Sequence, residues 1–201
     1  MDGLLGYLLQ RPWELLAVAL SIAYVVLAAR EHIACWACAL GATAIYTLLF
    51  WRVSLPMESA LNAYYLVMAL YGWQQWRRGA QSGPIKIHRW QARQHLAAAA
   101  VILLLTVFSA LLLQRFLPSA ALPWLDSFTT WASVVTTWMV ARKVLENWLY
   151  WVVIDAVSIY LYLDRGMHLT ALLFVAYVII ALIGWFTWKK HFENRIASTT
   201  V

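Results

Sequence analysis

Residues 96–113 read LAAAAVILLLTVFSALLL, an apolar stretch whose polar side chains are limited to Thr106 and Ser109. A helix needs about 20 mainly apolar residues to cross the hydrocarbon core of a bilayer, and this stretch nearly supplies them by itself. The rest of the chain has the same bias: of its 201 residues 64% are hydrophobic and 12% are charged, against about 25% charged residues in a soluble domain. These features predict an all-α integral membrane protein.

Six further segments on either side of this stretch are apolar enough to cross a membrane as helices. We predict seven transmembrane helices, at residues 12–29, 33–51, 57–76, 95–117, 127–141, 147–163 and 168–188.

Lysine and arginine residues are distributed unevenly between the loops, with 11 on one side of the predicted membrane and 4 on the other. Because the side richer in Lys and Arg is normally cytoplasmic, the N-terminus is predicted outside and the C-terminus inside a bacterial inner (plasma) membrane. Topology thus explains the net charge of +6. The lipid bilayer is the expected partner, and no nucleic acid is expected.

Residues 14–76 align with residues 126–188 without a gap, at an offset of 112 positions and with 13 identities in 63. The matches include Trp36 with Trp148, and Gly-Trp-x-x-Trp at 72–76 with the same pattern at 184–188. Two three-helix units of the same orientation need an odd helix between them, so we predict 3+1+3 parallel repeats. The predicted parts are a first repeat at 12–76, a basic cytoplasmic loop at 77–94, a linker transmembrane helix at 95–117, a second repeat at 126–188 and a cytoplasmic tail at 189–201.

The sixth predicted helix has an ionisable residue near its middle, Asp155. A charged group inside a span costs about 2.5–3.5 kcal/mol on insertion scales, so it points to function. Helical spacing places a polar and aromatic set on the same face, made up of Asn147, Trp151, Asp155, Ser158 and Tyr162. A carboxylate among aromatic faces suits a cationic or hydroxyl-rich solute. The alternative is a helix–helix hydrogen bond to Thr136 or Tyr177, and proton coupling stays open because a buried carboxyl can titrate.

The second predicted helix lacks this polar stripe at the repeat-equivalent positions, which are Cys35, Ala39, Thr43 and Tyr46. We therefore predict a binding site weighted towards the second repeat, with Asn62 and Trp36 contributing from the first. Cys35 and Cys38 are interpreted as packing residues, since two thiols do not complete a zinc site. No metal and no cofactor are expected.

The stretch Arg142-Lys143-x-x-Glu146-Asn147-Trp148-Leu149-x-Trp151-x-x-x-Asp155 resembles the PnuC family of vitamin transporters, as do Tyr-Gly-Trp at 71–73 and Gly-Trp-x-x-Trp at 184–188. The resemblance covers about residues 14–190. It implies a 3+1+3 fold similar to SWEET sugar transporters, a homotrimer, and facilitated diffusion of nicotinamide riboside that a cytosolic kinase makes one-way by phosphorylation. By the same analogy the solute path is lined by Asn147, Trp148, Trp151, Asp155, Asn62, Tyr65, Trp73, Tyr177 and Trp185.

The solute stays open, because relatives that resemble this chain carry thiamine, riboflavin or deoxynucleosides. Family members that carry nicotinamide riboside tend to have an amide in place of Asp155 and glutamine in place of Asn62. Two other classes are weighed against a transporter. An enzyme is not expected, since the five histidines lie at span ends or in loops and no catalytic motif appears. A membrane scaffold or assembly subunit would explain the spans but not the polar stripe.

Overall fold

The structure, a computed structural model, describes residues 12–52, 56–81, 86–116, 122–164, 166 and 168–199. Within these residues the chain is all-α, as predicted, and forms seven helices. They are α1 (Pro12–Ala29), α2 (Cys35–Arg52), α3 (Pro56–Gln81), α4 (Ala92–Phe116), α5 (Pro123–Ala141), α6 (Asn147–Asp164) and α7 (His168–Thr199). Proline begins α1, α3 and α5, where its missing N–H costs nothing because the first helical turn has no intrahelical acceptor for it.

Two helices continue well past the apolar segments from which they were predicted. α3 runs to Gln81, into the predicted loop at 77–94, and α7 runs to Thr199, so most of residues 189–201 are helical. The predicted boundaries fell where the apolar runs end. Glutamine, arginine, lysine and glutamate are good helix formers, so the helical backbone hydrogen bonds continue past the end of each apolar segment.

Three segments in the described part of the chain are both long and apolar enough to cross a membrane: α1, α4 and residues Ala171–Ser198 of α7. A shorter apolar helix covers Cys35–Leu49. α5 and α6 have 19 and 18 residues and mix polar with apolar side chains, which lowers their overall hydropathy. Length and composition thus support three spans directly, and the count of seven stays a prediction.

The helices group into two compact units, Met1–Ile85 and Lys86–Val201. In the first unit α2 packs against both α1 and α3. In the second unit α4 packs on α5, α5 on α6 and α6 on α7, and Ile102, Ala132 and Ile154 from α4, α5 and α6 form a common apolar core. The predicted linker helix therefore packs as part of the second unit.

The turn between α1 and α2 has the same construction as the turn between α5 and α6. Glu31 and Lys143 occupy equivalent positions, and both adopt a left-handed backbone, with φ of 54° and 55°. Such a residue lets the following N–H groups bond back to the last carbonyls of a helix. The bonds are Arg30 N to Val26 O, Glu31 N to Ala28 O and His32 N to Leu27 O in the first turn, and Arg142 N to Trp138 O, Lys143 N to Val140 O and Val144 N to Met139 O in the second.

Each unit also contains two tryptophans packed edge-to-face over a glycine. The ring centroids of Trp36 and Trp76 are 5.5 Å apart with an interplanar angle of 89°, and those of Trp148 and Trp188 are 5.4 Å apart at 87°. A Cβ on the intervening glycine would fall 2.3 Å from Cζ2 of Trp36 or 2.7 Å from Cδ2 of Trp148, so only glycine fits. We call these sets the first tryptophan lock (Trp36, Gly72 and Trp76) and the second tryptophan lock (Trp148, Gly184 and Trp188).

Candidate functional site

The polar face of α6 lies inside the second unit, as its helical spacing predicts. Asn147, Asp155 and Ser158 are buried, and Trp151 is half-buried on the same face. The opposite face is exposed and mostly apolar, and it presents Leu149, Val153, Tyr160 and Leu163. Helices turn polar groups inward in this way when the surroundings are apolar and the protein interior offers the polar environment.

Asp155 is 5% exposed, and its carboxyl group has neither a hydrogen-bond donor nor a cation within bonding distance among the described residues. The alternative prediction placed it in a helix–helix hydrogen bond to Thr136 or Tyr177. The Thr136 hydroxyl instead donates to the carbonyl of Ala132 in its own helix, at 2.7 Å. An ionised carboxylate removed from water without a partner is costly. Asp155 is therefore the residue on α6 whose pairing with a cationic ligand would contribute most to the free energy of binding.

Asn147 is the first residue of α6, and its side chain is fully buried. Its Nδ2 donates to the Val144 carbonyl at 2.6 Å, and its backbone N–H donates to the same oxygen at 3.2 Å. A carbonyl oxygen only accepts, so the NH₂ end of the amide must face Val144. The other end, Oδ1, is buried and meets no donor in the part of the chain that the structure describes, so it remains an unused acceptor.

The two predicted tryptophans of α6 differ in their surroundings. Trp151 is half-buried and packs beside Ile102, Ala132 and Ile154, so part of its ring is accessible. Trp148 is only 2% exposed, within the second tryptophan lock, and its indole N–H is buried without an acceptor among the described residues. Trp148 is therefore a packed side chain, whereas part of the Trp151 ring is accessible.

The predicted residues of α7, Tyr177 and Trp185, are both half-buried. Tyr177 lies edge-on against Phe174 at 5.5 Å between centroids, and Phe174 packs against Tyr162 of α6 at 5.0 Å. An aromatic series therefore connects Tyr177 with the far end of the α6 polar face. Trp185 follows the lock glycine Gly184 directly.

The predicted residues of α2 and α3 belong to the first unit. Asn62 and Tyr65 are half-buried on α3, and Trp73 is exposed. Trp36 is 1% exposed, in the first tryptophan lock, and also packs against Tyr24 at 5.9 Å.

The α2 positions that correspond to Asp155 and Asn147 have no carboxyl or amide group. The hydroxyl of Thr43, the counterpart of Asp155, donates to the Ala39 carbonyl at 2.8 Å. Cys35, the counterpart of Asn147, is buried. Among the described residues no three His, Cys, Asp or Glu side chains come together as metal ligands.

A further set of contacts at the start of α6 was missed from the sequence. Residues 86–91, which we call the strap, pair with the loop between α5 and α6. His88 N donates to the Lys143 carbonyl at 3.2 Å and Leu145 N donates to the His88 carbonyl at 2.9 Å, as in a parallel β-bridge. Arg89 Nε contacts Glu146 Oε1 at 2.8 Å. The Glu-Asn-Trp pattern at 146–148 marks this loop in the sequence. Arg89, which pairs with Glu146, lies 57 residues earlier in the chain and shares no pattern with it.

Comparison with known proteins agrees with this architecture. The family of nicotinamide mononucleotide transporters matches residues 11–190. A crystal structure of the vitamin B3 transporter PnuC superposes with a TM-score of 0.72 at 23% identity, over 92% of this chain and 83% of that one, which shows a shared fold.

Two relatives of this chain are transporters of named solutes. The nicotinamide riboside transporter PnuC of Escherichia coli is 27% identical over 176 aligned residues, which cover 75% of this chain and 74% of the relative. The riboflavin/roseoflavin transporter RibM of Streptomyces davaonensis is 30% identical over 132 residues, covering 63% of this chain and 61% of the relative. The family match spans nearly the whole chain, and the chain therefore belongs to the nicotinamide mononucleotide transporter family, a family of membrane transporters and not of enzymes.

Proposed function

We propose that the chain carries nicotinamide riboside across a bacterial inner membrane by facilitated diffusion, on a path to which α6 contributes most. The observation that carries this proposal is Asp155, a buried carboxyl group that has no partner among the described residues and lies one turn from the accessible ring of Trp151. Nicotinamide riboside has a flat cationic pyridinium ring. A carboxylate and an aromatic face attract such a ring from two directions.

Charge separates the solutes that the relatives suggest. The mononucleotide in the family's name adds a phosphate, which a buried carboxylate repels, and riboflavin has a neutral ring system, which gains nothing from the Asp155 charge. Nicotinamide riboside and thiamine are both cationic. The relationship to the Escherichia coli transporter favours nicotinamide riboside between these two.

Thiamine is the second candidate, because its cationic thiazolium satisfies the same carboxylate. Riboflavin follows, since the relative that carries it is 30% identical to this chain. A deoxynucleoside has no cationic ring for the Asp155 carboxylate to attract, so it ranks last.

The proposed architecture is seven spans in 3+1+3 parallel repeats, as in SWEET transporters, with the N-terminus outside. The equivalent turns at Glu31 and Lys143 and the two tryptophan locks support the repeat, and the 11 to 4 distribution of basic residues supports the orientation. A homotrimer and trapping of the solute by a cytosolic kinase complete the proposal by family analogy. The proposed lining residues are Asp155, Trp151, Asn147, Trp148, Tyr177 and Trp185 in the second unit and Asn62, Tyr65, Trp36 and Trp73 in the first.

The test is a titration of intrinsic tryptophan fluorescence in the purified protein, with nicotinamide riboside, thiamine and riboflavin added separately. The 13 tryptophans include Trp151 beside Asp155, so a bound pyridinium is expected to quench saturably. Quenching by nicotinamide riboside and not by thiamine supports the proposal. Quenching by thiamine alone, or by riboflavin alone, would make that compound the solute in place of nicotinamide riboside. Quenching by none of the three would refute binding at this site.

A further inference from the structure

The strap contacts the loop that precedes α6 through an ion pair whose carboxylate is nearly buried. The Glu146 side chain is 9% exposed and that of Arg89 is 61% exposed, so the carboxylate is inside and the guanidinium covers it. The second carboxylate oxygen of Glu146 accepts a hydrogen bond from the backbone N–H of Trp90 at 3.2 Å. Both oxygens of Glu146 are thus held by the strap, and charge-assisted hydrogen bonds of this kind are the stronger ones.

The strap is itself fixed by packing within the second unit. Ile87 is buried, and the ring of Trp90 lies 5.4 Å from that of His95 and 5.8 Å from that of Trp138. The Arg142 guanidinium lies over Trp138, 5.9 Å from its centroid. These contacts anchor the strap to α4 and α5, so it can act as a rigid support.

The strap orients the side chain of Asn147 through the carbonyl group of Val144. The two backbone bonds of His88, to Lys143 and from Leu145, flank Val144 on both sides and so fix the direction of its carbonyl. That carbonyl accepts from Nδ2 of Asn147. Because the amide is thereby oriented, Oδ1 is the end left without a donor among the described residues.

We propose that the strap is a specificity device, in which Arg89 and Glu146 are positioning residues that make Asn147 present a hydrogen-bond acceptor to the solute. The class of solute selected has a hydroxyl or an amide N–H at this point of the path, since a buried acceptor left unpaired is costly. The inference rests on the proposed function, in which α6 lines the path. It adds a source of selectivity that is independent of the charge on Asp155.

The first unit provides a natural contrast. Ala34 stands at the position of Glu146 and Cys35 at the position of Asn147. Neither side chain can reproduce the ion pair or the oriented amide. Selectivity of this kind is therefore confined to the second unit.

The test uses the full-length protein with Arg89→Ala, Glu146→Gln and the exchanged pair Arg89→Glu/Glu146→Arg. The matched control is Lys189→Ala, which removes an exposed ion pair to Glu193 at 3.9 Å. The first two variants are expected to bind nicotinamide riboside about tenfold more weakly, which corresponds to about 1.4 kcal/mol. The exchanged pair is expected to recover part of this loss, and the control is expected to stay at the wild-type affinity.

Two modified probes separate positioning from general destabilisation. One is nicotinamide riboside with methylated ribose hydroxyls, and the other has a dimethylated carboxamide nitrogen. In the wild type at least one of them is expected to bind more weakly than the parent compound, and Arg89→Ala is expected to reduce that difference. Equal weakening for all three compounds, or unchanged affinity for the parent compound, would overturn the proposal.

A spectroscopic readout keeps the test independent of the solute. The sequence has three asparagines, Asn62, Asn147 and Asn194, so [¹⁵N]asparagine labelling gives three side-chain amide signals, of which Asn147→Ala identifies one. Arg89→Ala is expected to shift the Asn147 signal, and Lys189→Ala is expected to leave it in place. An unmoved Asn147 signal in Arg89→Ala would refute the strap's role, whereas a failure of nicotinamide riboside to bind the wild type would refute the proposed function.

Discussion

Helices α2 and α6 occupy equivalent places in the two units but differ in what their buried faces contain. Each follows the same left-handed turn, at Glu31 or Lys143, and each is joined to the next helix by a tryptophan lock of nearly the same geometry. α6 then places an amide and a carboxyl group where α2 has Cys35 and Thr43. The difference teaches that the scaffold tolerates an exchange of polar groups on this face, because the turns and locks do not depend on them.

The largest expected effect comes from breaking the scaffold that the two helices share. Gly72→Ala places a Cβ 2.3 Å from the Trp36 ring, and Gly184→Ala places one 2.7 Å from the Trp148 ring. A rigid buried ring cannot yield easily, so we expect a loss of about 3 kcal/mol or more of unfolding free energy for Gly72→Ala and somewhat less for Gly184→Ala.

The matched control for these variants is Gly41→Ala, whose Cβ would lie 3.0 Å from the flexible Cδ1 of Leu20. A small shift of that methyl relieves the contact, and alanine favours the helix. Thermal unfolding of the three variants in detergent makes the comparison. If Gly41→Ala lowered the unfolding temperature as much as Gly72→Ala, the tryptophan locks would not be more important for stability than an ordinary helix contact.

The next largest expected effect is a loss of solute binding, which concerns α6 and not α2. Trp151→Ala removes the accessible ring from α6, where α2 has alanine already, at position 39. Loss of a cation–π partner of about 2 kcal/mol is expected to weaken binding of nicotinamide riboside about thirtyfold, while the protein still extracts as a folded oligomer. Fluorescence titration and size-exclusion chromatography measure the two properties, and an unchanged affinity would remove Trp151 from the site.

A smaller effect sharpens the roles of the two lock tryptophans. Trp36→Phe and Trp148→Phe keep an aromatic edge but remove an indole N–H that has no acceptor among the described residues. The lost volume and the removed unsatisfied donor partly offset each other, so each variant is expected to lose about 1 kcal/mol of stability.

If Trp148 lines the path as proposed, its phenylalanine variant loses affinity for nicotinamide riboside and the Trp36 variant loses less. Equal stability losses with wild-type affinity in both would make Trp148 a packing residue alone. The comparison is useful because both rings are almost fully buried, at 1% and 2% exposure.

Much of this architecture could be predicted from the sequence, because its signals are periodic. The apolar run at 96–113 indicated a membrane helix, the offset of 112 positions paired Trp36 with Trp148, and the spacing from Asn147 to Ser158 predicted a buried polar face. Each inference needs only neighbouring residues or a repeat.

The features that could not be predicted depend on contacts between distant residues. Arg89 and Glu146 are 57 positions apart, and the strap is joined to its loop by backbone bonds that leave no pattern in side-chain identity. The different exposure of Trp148 and Trp151 depends on a glycine in α7. The helix ends at Gln81 and Thr199 extend past the apolar segments because helix propensity, and not hydropathy, sets them.

The most direct test of the central claim is uptake of labelled nicotinamide riboside by proteoliposomes that contain the wild type, Asp155→Leu or the matched control Thr43→Val. Thr43 is the first-unit counterpart of Asp155, and its hydroxyl bonds within its own helix, so its loss is expected to change uptake less than twofold. Asp155→Leu removes the charge that faces the pyridinium, and uptake at subsaturating solute is expected to fall about tenfold, or about 1.4 kcal/mol. Uptake by Asp155→Leu equal to that of the wild type, from liposomes with equal amounts of folded protein, would contradict the account.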